Sequence, residues 1–173
     1  MSDHVSVAAR APTPQTLATI GVYGFDAKTF LRALQDAEVH ILIDVRQRRG
    51  VRGSEYAWAN AVRLQAALGD AGIGYVHLKE LAPTTELRQL QYAEDARAGV
   101  GKRSRERLAP AYVERYTAKI LDPTGVEAVV GALPAEGSGA LFCVERDPEA
   151  CHRSLIAARV ADVHGIAVTH LRP

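Results

Sequence analysis

The stretch Val39-His-Ile-Leu-Ile-Asp-Val45 is apolar at nearly every position, and a strand of that kind is kept from water only if both of its faces are covered. Four other short apolar runs, Leu17–Val22, Ile73–Leu78, Gly139–Glu145 and Ile166–Leu171, read as strands. Helical patterns separate them. Asp26 is a good N-cap for a helix in which Phe30, Leu31 and Leu34 share a face to about Ala37. Trp58, Val62, Leu64, Ala67 and Leu68 suggest a second helix ending near Gly72, after a loop from Arg46 to about Tyr56. Helical pieces are expected over Thr85–Ala98, Pro110–Leu121 and Gly125–Leu133, with Gly99, Gly101, Pro123 and Pro134 as breaks, and a last helix runs from Cys151 to His164. Strands alternating with helices imply right-handed crossovers. The expected fold is therefore three-layer α/β: a mostly parallel five-stranded sheet with helices on both faces and a helical insertion, about residues 82–133, before the fourth strand.

With 47% apolar and 24% charged residues, the 173-residue chain has a globular composition and enough length for one core. Residues 1–16 lack apolar periodicity and read as a flexible lead-in, leaving 17–173 as a single domain. The lead-in has no uninterrupted apolar stretch of the secretory kind, and no run approaches membrane-span length, so a cytoplasmic protein with no membrane partner is expected. Net charge is only +1, which gives no general argument for nucleic acid. Local charge says more. Arg46, Arg48, Arg49 and Arg52 crowd one segment, and Lys102, Arg103, Arg105 and Arg107 another.

In a parallel sheet the ligand crevice lies beyond the carboxyl ends of the strands. That rule selects Tyr23 and Gly24, Asp44 and Arg46, His77 and Lys79, and Cys143 and Glu145. The most informative segment joins the fourth strand to the last helix, Cys143-Val-Glu145 followed by Cys151-His152-Arg153. A cysteine at a helix N-terminus beside His and Arg has a lowered pKa, which favours the nucleophilic thiolate. Free backbone N–H groups there, with Arg153 in the first turn, suit an anion. Cys143, Glu145, Cys151 and His152 are the candidate catalytic residues. Substrate binding is expected from Tyr23, Asp44, Arg46, Arg48, Arg49, Arg52, His77, Lys79 and Arg153. Zinc is a further use for thiolates and imidazole, but there is no C-x-x-C pair, and adjacent Cys-His side chains seldom reach one ion. No metal or cofactor is expected. Tyr56 offers a face for base stacking; Trp58 is expected in the core, on a helical apolar face.

Several of these segments together resemble the bacterial domain of unknown function 488 family. Its marks are Thr19-Ile-Gly21, Ile43-Asp-Val-Arg46, Gly74-Tyr-Val-His-Leu78, and Cys143-Val-Glu145 with Cys151-His-Arg153. The likeness spans about Thr19 to Leu171, and Leu78-Lys-Glu-Leu-Ala-Pro83 and Gly101-Lys-Arg-Ser104 look like a subgroup. It implies the fold more than an activity. A weaker likeness to rhodaneses and cysteine phosphatases rests on Asp44-Val-Arg46 and on Arg153-Ser154 with Ala157, Ala158 and Gly165, although the loop from Cys143 to Arg153 is longer than theirs. The leading expectation is an enzyme acting on an anionic substrate, a nucleotide-like small molecule or a nucleic-acid-linked group. Two alternatives stand beside it: a non-catalytic nucleic-acid-binding module using the two basic segments, and a rhodanese-like sulfurtransferase.

Overall fold

The computed structural model describes residues 14–173. Five parallel strands form one sheet in the order β3-β2-β4-β1-β5, with β1 Thr16–Ile20, β2 Val39–Asp44, β3 Gly74–His77, β4 Ser138–Phe142 and β5 Ala167–His170. The sheet is wholly parallel. Most of the expected lead-in lies outside the described residues; at its end, Thr16 already pairs with Ser138 and Ala167. The apolar run of β2 lies between β3 and β4, and Leu42 and Ile43 are fully buried. Every residue of β4 is buried, as its central position requires.

Helix α1, Ala27–Asp36, starts at a reciprocal cap: Thr29 N donates to the Asp26 carboxylate, and Asp26 N donates to the Thr29 hydroxyl. Its Phe30 packs on Phe142 of β4 and on Trp58, with ring centroids 5.4 and 4.8 Å apart. Trp58 is half-buried, but it is not on a helical face as expected. It belongs to a 3-10 turn, Ser54–Ala59, and α2 begins only at Ala61. Asn60 causes the break. Its backbone is extended, at φ −67° and ψ 140°, and its side chain accepts from Val51 N, tying the arginine loop to the helix start.

Between β3 and β4 lie α3 Thr85–Ala98, α4 Pro110–Tyr116, the short α5 Asp122–Thr124 and α6 Glu127–Ala132. Helix α4 widens into a π turn over Thr117–Leu121 that leads straight into α5, so Pro123 does not break the helix as expected. Pro123 is the penultimate residue of this helical run, which ends at Thr124, before Gly125 at φ 72°. The last helix, α7 His152–His164, takes Cys151 as its N-cap.

One close approach fixes the sheet's upper edge. After β1 the chain passes so near the loop following β4 that a Cβ on Gly21 would collide with the Glu145 carbonyl oxygen.

Candidate functional site

The carboxyl ends of β1, β2 and β4 open into a cleft of about 910 Å³, large enough for a nucleotide-sized ligand. Cys143, Glu145, Cys151 and His152 line its floor, and the arginine loop and the 101–105 loop form its walls. Residues far apart in sequence meet here because β4 emerges between β1 and β2.

The floor is built around His152. Its Nε2 lies 2.9 Å from the Val45 carbonyl oxygen, which can only accept, so Nε2 carries a proton. Nδ1 then faces both sulfurs, 3.7 Å from Cys151 Sγ and 3.8 Å from Cys143 Sγ. Cys151 is extended at φ −139° and ψ 143°, whereas His152 begins the helix. That change of backbone lets the two adjacent side chains converge, contrary to the expectation that neighbours seldom reach one point. Both cysteines are free thiols.

The two thiols differ in environment. Burial alone would raise the Cys151 pKa, yet the bond from Cys143 and the charges of His152 and Arg153 hold it well below the usual thiol range. Cys143 is pushed well above that range, first by its hydrogen bond to Cys151 and then by burial. Glu145 also bears on Cys143, with Oε2 3.6 Å from its sulfur. Burial and the neighbouring Cys151 raise the Glu145 pKa, while Lys102 and Arg105 oppose the rise.

Arg105 anchors this floor to α3. It is buried, donates to Asp95 at 2.6 Å and to Glu145 at 3.1 Å, and reaches the Ala150 carbonyl at 3.3 Å. Asp95 in turn accepts from Gln91, whose side-chain oxygen accepts from Ala109 N. The sequence shows Arg105 only as part of a basic segment, and it does not single out Arg88, Gln91, Tyr92 and Asp95. Their signal was present, since 88, 91, 92 and 95 are spaced as one polar stripe along a helix.

Of the expected binding residues, Tyr23, Arg46, Arg48 and Arg52 line the cleft. Asp44 and Arg46 are committed to each other. The Arg46 guanidinium donates to the Asp44 carboxylate through Nε at 2.9 Å and Nη2 at 2.8 Å, to the Ala59 carbonyl through Nη1, and lies 4.5 Å over the Phe142 ring. A further bond from the Tyr75 hydroxyl completes Asp44. The pair is buried and fixes the strand end rather than facing a ligand.

Arg153 departs furthest from expectation. It is fully buried, outside the cleft lining, and donates to the carbonyls of Glu145 and Arg146 at 2.7 and 3.1 Å. These carbonyls of the loop between β4 and α7 take the place of the anion expected to offset a cation in the first turn of α7. Arg49 lies by Tyr75, His77 Nε2 contacts the Arg46 carbonyl at 2.8 Å, and Lys79 is exposed. None of these three lines the cleft.

The walls remain strongly basic. Arg48, Arg52 and Lys102 have no carboxylate within ion-pair distance among the described residues. Arg103 lies over both Tyr23 and Tyr56, 5.2 and 5.3 Å from their ring centroids, and its Nη2 reaches the Arg52 carbonyl at 3.4 Å. The two basic segments thus form one rim, and the face of Tyr56 expected to be open for a base is occupied by Arg103.

Residues 26–160 match the family model described as Domain of unknown function DUF488, over most of the chain. The chain belongs to that family. No curated protein and no solved structure matches it. The matched residues include the arginine loop, the polar stripe of α3 and the whole Cys143–Arg153 segment, whereas β1 and β5 fall outside. Among the described residues no helix is long and apolar enough to cross a membrane.

Proposed function

We propose that the chain is a cysteine-dependent enzyme acting on an anionic, nucleotide-like or nucleic-acid-linked small molecule. One observation carries this reading: a floor of two thiols, an imidazole and a carboxylate lies under walls whose Arg48, Arg52 and Lys102 have no acidic partner. Uncompensated cations around a concave site favour an anion, and reactive groups with opposed pKa shifts mark a site of chemistry. Arg48, Arg52 and Lys102 hold the anionic part of the substrate. Tyr92 and Tyr112 offer aromatic surface beside it. Cys151 and His152 carry the reactive charge, and Glu145 is the proton carrier.

The sulfurtransferase alternative is weaker. Rhodanese-like chemistry needs a reactive thiolate in a short anion-cradling loop, but Cys143 at the loop's start faces a carboxylate and a second sulfur, which disfavour its thiolate. The nucleic-acid-binding module has one observation in its favour, the joining of both basic segments on one rim.

Turnover and binding against a panel of nucleoside mono- and diphosphates test the proposal. The expected result is saturable turnover, abolished by Cys151→Ser and His152→Ala, with KM raised roughly ten- to hundredfold by Arg48→Ala or Arg52→Ala, the weight of one charge-assisted hydrogen bond. Tight oligonucleotide binding with a steep salt dependence that survives Cys151→Ser would replace it with the binding-module reading.

A further inference from the structure

We propose that Cys143 Sγ, Cys151 Sγ and His152 Nδ1 form a three-ligand zinc(II) site whose fourth position opens into the cleft. Among the described residues these three atoms lie within 4.8 Å of one another. Zinc bonds to sulfur at about 2.3 Å and to nitrogen at about 2.0–2.1 Å, so a tetrahedral S–N edge is about 3.6 Å. The two S–N distances are 3.7 and 3.8 Å. Little movement is needed to bring all three atoms onto one ion.

Three further observations favour a ligand role over a simple thiol–imidazole pair. A nucleophile needs one thiol beside its base, whereas here a single Nδ1 faces two. The other ring nitrogen is fixed by the Val45 carbonyl at 2.9 Å, the outer contact that sets tautomer and ring orientation in metal-bound histidines. Both cysteines are buried, at 6% and 1% exposure, with no lysine or arginine side chain bonded to either sulfur among the described residues, and two thiolates neutralise a zinc ion.

The ligand set is also of the open kind. Closed structural zinc sites use four protein ligands, while catalytic sites keep a position for water or substrate. Glu145 is not one of the three mutually close residues, and its carboxylate is held by Arg105 at 3.1 Å. Its other oxygen lies 3.6 Å from Cys143 Sγ, beside the ion rather than on it, which leaves the fourth position to water or substrate. All three ligands line the cleft. This inference rests on the proposed function only for what the ion acts on, and it gives Cys151 the role of ligand.

The test uses the full chain purified under reducing conditions without chelators. Elemental analysis should find one zinc per chain. Cobalt(II) added after chelator dialysis should give a thiolate-to-metal charge-transfer band, with tetrahedral visible absorption. Cys143→Ser and Cys151→Ser should each remove about half of that band, His152→Gln should weaken binding, and Glu145→Gln should leave the spectrum intact. A wild-type chain that is substoichiometric in zinc and shows no charge-transfer band overturns the inference, whatever the folding of the variants. Nucleotide binding is measured separately. Nucleotide affinity in a chain that takes up neither zinc nor cobalt would remove the zinc site and spare the cleft reading; stoichiometric zinc with no nucleotide affinity would do the reverse.

Discussion

Replacing Asp44 by Asn should unfold this protein far more readily than it disturbs any ligand. The carboxylate is fully buried and accepts from Arg46 N at 3.0 Å, Arg46 Nε at 2.9 Å, Arg46 Nη2 at 2.8 Å and the Tyr75 hydroxyl at 2.6 Å. An amide keeps the shape, but one of its two ends becomes a donor facing another donor. Arg46, itself 2% exposed, is left as a buried cation without a counter-charge. Breaking one side of a buried ion pair costs about 3–5 kcal/mol. For a chain of this length that lowers Tm by roughly 6–20 °C. Urea unfolding, followed by fluorescence and circular dichroism, measures the loss under two-state conditions. Arg46→Met should be similarly damaging alone, and the double variant should cost at least ~1 kcal/mol less than the sum of the singles, because neither charge is then stranded. A loss under ~1 kcal/mol for Asp44→Asn, with additive singles, would refute this reasoning and return Asp44 to the ligand.

Gly21→Ala should destabilise by roughly 1–3 kcal/mol, since the added methyl meets the Glu145 carbonyl and backbone must move; thermal unfolding reads it directly. Arg153→Lys should lower the urea midpoint, at ~1–3 kcal/mol for each loop carbonyl left unpaired, while the affinity of the folded protein for nucleotides stays within a few-fold of wild type. Arg103→Ala should cost under ~1 kcal/mol of stability yet speed proteolysis within residues 101–103, because Arg103 is held by cation–π contacts to Tyr23 and Tyr56, a 3.6 Å exposed ion pair to Glu55 and a 3.4 Å contact to the Arg52 carbonyl, while Arg105 keeps its own buried anchors. Burial, and then repulsion from Arg153 and Arg172, hold the His170 pKa below the usual imidazole value, with Glu149 opposing. A lowered histidine binds fewer protons in the folded state, so its contribution is present above the unfolded pKa and is lost as pH falls through the folded one. Acidification from about pH 7 to 5 should therefore lower the wild-type midpoint more than that of His170→Gln.

The sheet was legible in the sequence because strand burial leaves a local trace: the β2 run and the all-buried β4 read as continuous apolar segments. The Cys143–Arg153 segment stands out as a candidate site for a similar reason, since its polar and thiol residues follow a central strand. What its members do was less legible. Arg153 and Arg46 look like anion binders in one dimension, and only the fold shows that loop carbonyls and Asp44 already occupy them. The convergence of Cys151 with His152 depends on one extended residue before a helix, and no spacing rule records that. Arg105 joins Asp95 and Glu145 across distant parts of the chain, so its role required tertiary structure, whereas the α3 stripe of Arg88, Gln91, Tyr92 and Asp95 could have been found by its periodicity.

Calorimetric titration of nucleoside monophosphates, compared between the wild-type chain and a variant carrying Arg48→Ser, Arg52→Ser and Lys102→Ser, addresses the cleft most directly. Saturable one-to-one binding to the wild type is expected, weakened at least a hundredfold in the triple variant while its unfolding midpoint changes little, because all three side chains lack ion-pair partners in the folded protein. Absence of saturable binding, or binding indifferent to the three substitutions, would contradict an anionic substrate held over the Cys143, Cys151 and His152 floor.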